Sequence, residues 1–201
     1  MKLFLRLLIH RVRGVKFIST TGVFIGPKVQ ISKGAIIYPN VYINGDSYIG
    51  KDTVILPNAK IEDSYIMDNC VIGAEVIRSI LHNDVNAKHS CYIGDASIGQ
   101  GCNIGAGVVF CNYNGYEKNR IIVQRDTFIG SGSMLIAPLL IGRTSYIAAG
   151  SVVKLTVNPN TLVIARGQQH KHAAQDSDVK NEIHKSNYVR KIKGKWHLGT
   201  S

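Results

Sequence analysis

A lone histidine, His89, opens the stretch of the chain in which residues able to do chemistry are most concentrated. The stretch is HSCYIGDASIGQGCNIGAGVVFCNYNG (89–115), and its glycines and small residues surround Tyr92, Asn103 and Asn112. An imidazole titrates near neutral pH and can accept a proton from an attacking group. We therefore predict that His89 is a general base, against the alternative that it is a structural histidine on a strand.

The cysteines are the other residues that could bind a catalytic group. They stand at positions 70, 91, 102 and 111, with no CxxC pair among them. Their spacing relative to His82 and His89 matches no zinc pattern, so we predict no metal site. Four unclustered cysteines in 201 residues are typical of a reduced compartment, and we predict a cytoplasmic protein.

Isoleucine recurs at every sixth position early in the chain, and this period indicates the elements that must position these residues. The members are Ile25, Ile31, Ile37, Ile43, Ile49, Ile55 and Ile61. Four residues after each of the first six stands a small or β-branched residue, at positions 29, 35, 41, 47, 53 and 59. A period of six fits neither a helix nor an alternating strand, and it is the hexapeptide repeat of a parallel β-helix.

The repeat continues through most of the chain with one interruption. Its later members are Ile66, Ile72, Ile80, Ile93, Ile98, Ile104, Phe110, Ile129, Leu135, Ile141, Ile147 and Val153. Together they predict roughly seven coils of three short strands each. The polar segment 112–120 breaks the repeat at a turn signal, Asn114-Gly115, and an insertion of this kind often marks a binding face.

The predicted fold class is all-β, a left-handed parallel β-helix with a short N-terminal helix and a basic C-terminal tail. We expect the helix within residues 1–16, the β-helix with its 112–120 loop over 17–167, and the tail over 168–201. The apolar residues of the first segment fall at helical spacing; they are Leu3, Phe4, Leu7, Leu8 and Val12. We predict that this amphipathic helix covers the open end of the β-helix, with peripheral membrane contact as the alternative.

The net charge of +11 is concentrated at the two ends of the chain, since residues 1–16 and 166–201 each carry +5. Basic ends suggest attraction of an anionic ligand or partner, with solvated termini as the alternative. The ends lack interleaved aromatic residues and any known reading motif, so nucleic-acid binding is not predicted. No apolar run approaches the length of a membrane span, so we predict no stable membrane insertion.

Seven short motifs follow one another in a specific order between His89 and Arg166. They are HSCYIGDASIG, NIGAG, CNYNG, FIGSGS, APLLIG, YIAAGSVV and IAR. With them, residues 15–167 resemble the acetyltransferase domain of the bifunctional N-acetylglucosamine-1-phosphate uridyltransferase/glucosamine-1-phosphate acetyltransferase, a hexapeptide-repeat acyltransferase. The resemblance implies a homotrimer with active sites between subunits, and acetyl-CoA as cosubstrate without a metal.

Carried over position by position, the resemblance also implies roles for individual residues. The catalytic set would be His89 as base, Glu75 as the acid that orients it, and Asn112. The sugar and its phosphate would meet Tyr92, Asn103, Tyr113 and Lys118, with Arg78 as a substitute phosphate contact. The acetyl-CoA channel would be lined by Ala106, Ser131, Ala149 and Arg166.

The chain also departs from that family. We find no pyrophosphorylase domain, the segment between Ile61 and Glu75 is shortened without an equivalent of the family's phosphate-binding arginine, and Ile77 stands where the family has lysine. The expected function is acetylation of an amino sugar phosphate, foremost glucosamine 1-phosphate. Two alternatives remain open: acetylation of a nucleotide-linked amino sugar, and a non-catalytic trimerisation scaffold for a separate nucleotidyltransferase.

Overall fold

The computed structural model describes residues 3–167, 189–192 and 195–198. The chain divides into two compact units, Met1–Arg166 and Gly167–Ser201. In the first unit, one helix is followed by short strands that form three parallel sheets. The hexapeptide repeat therefore folds as predicted, into a β-helix whose three sides are these sheets.

The three sheets are named here in the order in which the chain first visits them. Sheet 1 has nine strands: β1 (Lys16–Phe17), β4 (Ile36–Ile37), β7 (Val54–Ile55), β10 (Val71–Ile72), β13 (Asn86–Ala87), β16 (Asn103–Ile104), β19 (Phe128–Ile129), β22 (Tyr146–Ile147) and β24 (Leu162–Val163). Sheet 2 has eight: β2 (Phe24–Ile25), β5 (Tyr42–Asn44), β8 (Lys60–Glu62), β11 (Glu75–Ile77), β14 (Tyr92–Gly94), β17 (Val109–Cys111), β20 (Met134–Ile136) and β23 (Val152–Val153). Sheet 3 has seven: β3 (Gln30–Ile31), β6 (Tyr48–Ile49), β9 (Tyr65–Ile66), β12 (Ile80–Leu81), β15 (Ala96–Ile98), β18 (Ile121–Val123) and β21 (Leu139–Ile141).

The core is a column of the repeat's aliphatic side chains, each packed on its copies in the coils above and below. The seven isoleucines of the early repeat are buried, as are the small residues four positions after the first six. Two predictions need correction. The sheets contain about eight coils rather than seven, and the inward residue of β12 is Leu81, fully buried, rather than the half-buried Ile80. Leu81 faces inward because it pairs in register with Ile66 and Ile98.

The N-terminal helix α1 (Leu3–Val12) lies against the first coil and contacts β2. It ends at a left-handed glycine, Gly14 (φ 91°), and the N–H of Val15 donates to the carbonyl of His10 at 3.0 Å. The left-handed Gly14 and the hydrogen bond from Val15 to His10 together form a Schellman-type C-cap. Leu7 packs against the core, and His10 is buried. Burial, with the nearby charge of Arg13, lowers the pKa of His10.

The predicted apolar face of this helix is only partly the face that packs. Leu7 contacts the core, but Phe4, Leu8 and Val12 are exposed to solvent. The helix does cover the first coil, as expected, and it does so through Leu7 and His10. Phe4, Leu8 and Val12 point away from the first coil because, at 100° per residue, they lie about 60–140° around the helix from Leu7, on the side away from His10.

Two strands are described in the second unit, β25 (Val189–Ile192) and β26 (Lys195–Leu198). They pair antiparallel, with Val189 opposite Leu198 and Ile192 opposite Lys195. The rest of the predicted basic tail, residues 168–188, 193–194 and 199–201, lies outside the described residues.

Candidate active site

A cleft opens in the β-helix where one corner is two residues shorter than its neighbours. Between sheets 1 and 2 the chain turns through four residues at 56–59 and again at 88–91, but through only Gly73 and Ala74 in the coil between them. The two longer corners therefore overhang the short one. Between them lies a cleft of about 350 Å³, and His89 belongs to the upper corner. The cleft is lined by Pro57, Asn58, Gly73, Ala74, Glu75, Ser90, Cys91, Tyr92 and Val109.

The corner that carries His89 rests directly on Gly73. The N–H of Ser90 donates to the carbonyl of Gly73 at 2.9 Å. A Cβ on Gly73 would lie 2.4 Å from the backbone carbonyl oxygen of Lys88. Only glycine therefore allows this close approach. The His89 side chain is on the surface of the protein, at the tip of the corner.

Glu75 lies on the wall of this cleft, but its carboxylate faces a lysine. Lys60, in register with it on β8, places its Nζ 3.0 Å from the Oε1 of Glu75 and 3.7 Å from the Oε2 of Glu62. The hydrogen bond to Glu75 raises the pKa of Lys60. No hydrogen bond between Glu75 and His89 occurs among the described residues. The orienting role of Glu75 therefore stays a prediction.

The predicted coenzyme residues form one column along the corner between sheets 1 and 2. His89, Ala106, Ser131 and Ala149 each stand two positions after a strand of sheet 1, in four successive coils, and all are exposed. Three backbone hydrogen bonds link the column, from Gly107 N to His89 O, from Gly132 N to Ala106 O and from Gly150 N to Ser131 O, at 3.2, 2.8 and 2.9 Å. We call this column the His89 edge.

The residue that follows Ala106, Ser131 and Ala149 on the His89 edge is a glycine in each case. Gly107, Gly132 and Gly150 all have positive φ angles, and a Cβ on any of them would meet nothing within 4 Å. At the far end Arg166 donates from Nη1 to the carbonyl of Ala149 at 2.9 Å. The edge is thus a column of small, exposed residues with an imidazole at one end and a guanidinium at the other.

A second group of predicted residues surrounds a carboxylate that sequence reasoning missed, Asp95. Arg78 donates to it from Nε and Nη2 at 2.7 and 2.8 Å, and the Nδ2 of Asn112 donates to the same carboxylate. The hydrogen bond from Arg78 holds the pKa of Asp95 below its usual value, aided by Asn112 and by the charge of Lys118. The same pair raises the pKa of Arg78.

Tyr92 completes this Asp95 cluster. Its hydroxyl lies 3.4 Å from the Nδ2 of Asn112, and Asn112 is only 6% exposed. An ionised carboxylate accepts hydrogen bonds only, which fixes the Asn112 amide with its NH2 toward Asp95 and leaves Oδ1 as the acceptor available to a ligand. Gly94 makes the room, because a Cβ there would lie 2.6 Å from both the Tyr92 hydroxyl and the Asn112 amide nitrogen.

The remaining predicted residues lie around these two groups. Tyr113 and Lys118 form an antiparallel bridge in the exposed 112–120 loop, whose turn is held by two N–H groups donating to the Asn114 side chain at 2.9 Å. Asn103 lies on sheet 1, in register with Asn86 and Phe128, away from the Asp95 cluster on sheet 2. Ile77 is buried at 7% exposure, so that position contributes no side chain to a ligand.

The two groups occupy opposite edges of the same sheet. His89 precedes β14, whereas Asp95 follows it and holds Arg78 and Asn112. The end of the 88–91 corner and the three-residue strand β14 separate His89 from Asp95 along the chain. Glu75 and the body of Tyr92 lie between them, on the cleft. One protomer therefore offers the predicted residues as two half-sites.

Two absences concern the described residues only. No cluster of three or more histidine, cysteine, aspartate or glutamate side chains there could hold a metal ion. Nor does that part of the chain contain a helix long and apolar enough to cross a membrane.

Comparison with known proteins identifies relatives of the chain. It is 37% identical over 197 residues to the bifunctional protein GlmU of Caldicellulosiruptor saccharolyticus, a match that covers 80% of this chain and 42% of that protein. It is 34% identical over 194 residues to the GlmU protein of Thermodesulfovibrio yellowstonii, covering 78% of this chain and 43% of that protein. No protein-family model matches the chain.

A solved structure, the polySia specific acetyltransferase NeuO, covers 87% of this chain and 98% of its own, at 14% identity and a TM-score of 0.44. This likeness is too weak to support an argument about function. The three parallel sheets make the chain a hexapeptide-repeat β-helix protein, and the sequence relatives show that it belongs to the GlmU family. It spans less than half of the length of those relatives.

Proposed function

We propose that this protein transfers the acetyl group of acetyl-CoA to the amine of an amino sugar phosphate, foremost glucosamine 1-phosphate, which would yield N-acetylglucosamine 1-phosphate. The observation that carries the proposal is the His89 edge, a column of small exposed residues that begins at His89, next to the cleft. A thioester bound along this edge would present its carbonyl carbon at the end where the imidazole stands.

The dimensions and charge of the edge suit a long anionic coenzyme. His89 and Ala149 are three coils apart, about 14 Å at the spacing of adjacent strands. Ala106 and Ser131 between them are small and exposed, so no bulky side chain obstructs this part of the edge. Arg166 provides a cation at the far end, where a coenzyme phosphate would lie, and a guanidinium binds phosphate well.

The chemistry at His89 is direct transfer. The imidazole removes a proton from the amine as its nitrogen attacks the thioester carbon, the new C–N bond forms, and the C–S bond breaks. The imidazolium returns the proton to the departing thiolate. General base catalysis of this kind contributes about 10²–10⁴-fold to a rate. No covalent enzyme intermediate is needed when donor and acceptor are held together.

The acceptor would bind across sheet 2, from the cleft toward the Asp95 cluster. Tyr92 and the Oδ1 of Asn112 offer hydrogen-bonding groups for sugar hydroxyls. Asn103 would approach from sheet 1, and Tyr113 from the 112–120 loop. Because Asp95 already neutralises Arg78, the phosphate contact falls first to Lys118 on the exposed loop. A single exposed lysine is also compatible with a nucleotide-linked amino sugar, so such an acceptor is included in every assay.

The two half-sites lie at opposite edges of one sheet, and a neighbouring protomer could bring an unlike half-site to each. We therefore include a homotrimer in the proposal, since cyclic symmetry would form three equivalent composite sites. A separate nucleotidyltransferase as partner stays a prediction.

The test is a steady-state assay of acetyl-CoA consumption with wild type, His89→Ala and His82→Ala. His82 is the matched control because it is also an exposed corner histidine. It lies at the corner between sheets 3 and 1, one strand before the corner that carries His89. We expect His89→Ala to lower kcat at least 100-fold and His82→Ala to change it less than twofold. The acceptors are glucosamine, glucosamine 1-phosphate and a UDP-linked amino sugar. Equal rates for the two variants, or no turnover by wild type with any amine, would refute the proposal and favour the non-catalytic scaffold.

A further inference from the structure

The outward face of helix α1 is apolar. Phe4 and Val12 are 77% and 81% exposed, and Leu5 and Leu8 are nearly half exposed. At 100° per residue these four side chains fall within an arc of about 100°. Leu7 and His10, which pack on the first coil, point the other way. In water this face is a cost, and exposed apolar surface of this kind usually marks a contact.

The segment that forms this helix and the first coils is strongly basic in sequence. Residues 1–45 contain seven lysines and arginines and no aspartate or glutamate. Arg11 borders the apolar face on one side, with its guanidinium 5.9 Å from the ring of Phe17, and Lys16 is exposed on the strand that follows. An apolar helix face bordered by basic residues is the pattern of helices that lie in the interface of an anionic membrane.

Charge decides between the occupants that an apolar face could have. A second copy of the chain docked face to face would bring two sets of basic residues together, among them Arg11 and Lys16, which opposes association. An anionic lipid surface would instead neutralise them, each lysine or arginine near the surface adding attraction. The apolar side chains would at the same time leave water for the acyl boundary.

We propose that α1 binds flat on an anionic lipid membrane, with Phe4, Leu8 and Val12 in the acyl boundary and Arg11 and Lys16 at the headgroups. The helix is already closed by its C-cap and held to the first coil by Leu7 and His10. Binding therefore requires no folding step, which favours a rapid and reversible contact. This inference is independent of the proposed acetyl transfer.

The experiment is flotation of the full chain with two kinds of vesicle. One is phosphatidylcholine with roughly 30–40% phosphatidylglycerol, which gives a strong negative surface charge, and the other is phosphatidylcholine alone. The variant is Phe4→Ser/Val12→Ser. Its matched control is Leu155→Ser/Leu162→Ser, whose side chains are 73% and 63% exposed elsewhere on the β-helix. A second variant, Arg11→Gln/Lys16→Gln, removes charge alone.

We expect wild type and the leucine control to bind anionic vesicles and not neutral ones, with binding that weakens as salt rises. Phe4→Ser/Val12→Ser should bind anionic vesicles at least about tenfold more weakly than wild type. The charge variant should lose roughly fivefold per cation at low salt. Absence of wild-type binding, or equal binding by the apolar variant, overturns the proposal. Sedimentation without lipid provides the remaining arm: an assembly that Phe4→Ser/Val12→Ser dissociates, without vesicle binding by wild type, would assign the face to a second copy instead.

Discussion

The N–H of Ser90 donates to the carbonyl of Gly73 at 2.9 Å, and this bond holds the corner that carries His89 against the shortest corner between sheets 1 and 2. The two missing residues at Gly73–Ala74 open the cleft, and the absent side chain of Gly73 lets the upper corner come close. The position of the proposed base thus depends on a residue that does no chemistry itself.

Gly73→Ala should therefore lower activity. The new Cβ would approach the Lys88 carbonyl to 2.4 Å, so the 88–91 corner must move. A displacement of about 1 Å at a catalytic group can cost on the order of 100-fold in rate. The measurement is kcat for acetyl transfer beside the free energy of unfolding in urea.

Gly142→Ala is the control for that substitution. Its Cβ would lie equally close, 2.4 Å, to the backbone nitrogen of Pro159, far along the chain from His89. We expect both variants to lose about 1–3 kcal/mol of stability by overpacking, and only Gly73→Ala to lose activity out of proportion. Parallel losses of activity in the two variants would mean that Gly73 matters for stability alone.

Blocking the His89 edge should weaken acetyl-CoA binding selectively. Ala149→Phe places a bulky ring on the edge between Ser131 and Arg166, where the coenzyme is proposed to lie, so KM for acetyl-CoA should rise about tenfold or more. KM for the acceptor should change little. Arg143→Phe, an exposed position in the same coil at another corner, is the control. A rise in acceptor KM without a change for acetyl-CoA would reverse the assignment of the edge.

Glu75 and Glu62 share Lys60, and this provides a direct comparison of roles. If Glu75 orients His89 during catalysis, Glu75→Gln should lower kcat about tenfold or more while acceptor KM stays within twofold. Glu62→Gln removes the more distant partner of the same lysine, at 3.7 Å, and should leave kcat nearly unchanged. Similar kinetics for the two variants would limit Glu75 to its ion pair with Lys60.

The sequence predicts the coils well because each inward position is aliphatic and its copies must stack. It fails where two adjacent residues satisfy the pattern equally, as with Ile80 and Leu81, since only the pairing register decides between them. The sequence pattern does not predict the cleft for a related reason. The cleft arises because four residues, instead of six, lead from Ile72 to Val76, and in the sequence this short interval looks like a weaker match to the repeat.

The Asp95 cluster was only partly predictable. Arg78, Tyr92 and Asn112 were candidates, but Asp95 resembles the other acidic corner residues with positive φ, such as Asp52 and Asp126. What distinguishes it is Arg78, 17 residues earlier, and the parallel register of β11 with β14 that brings Ile77 opposite Gly94. The outward apolar face of α1 was missed because amphipathicity alone does not say which face packs.

The Asp95 cluster should also make stability depend on pH. The pKa of Asp95 is lowered in the folded protein, so its contribution to stability is complete above the unfolded pKa, near 4, and is lost as the pH falls through the folded value. Asp95→Asn should therefore be less stable than wild type at pH 7, by at most about 1 kcal/mol because Arg78 is partly exposed.

That difference should shrink as the pH falls below the unfolded pKa, because protonation leaves a neutral aspartic acid that is nearly equivalent to an asparagine. Urea unfolding of both proteins as the pH is lowered measures it. Asp126→Asn, which breaks the exposed pair with Arg125, should differ little from wild type at any pH because exposed salt bridges contribute little. A constant gap between wild type and Asp95→Asn down to acid pH would show that the Asp95 carboxylate charge is not what holds Arg78 and Asn112 together.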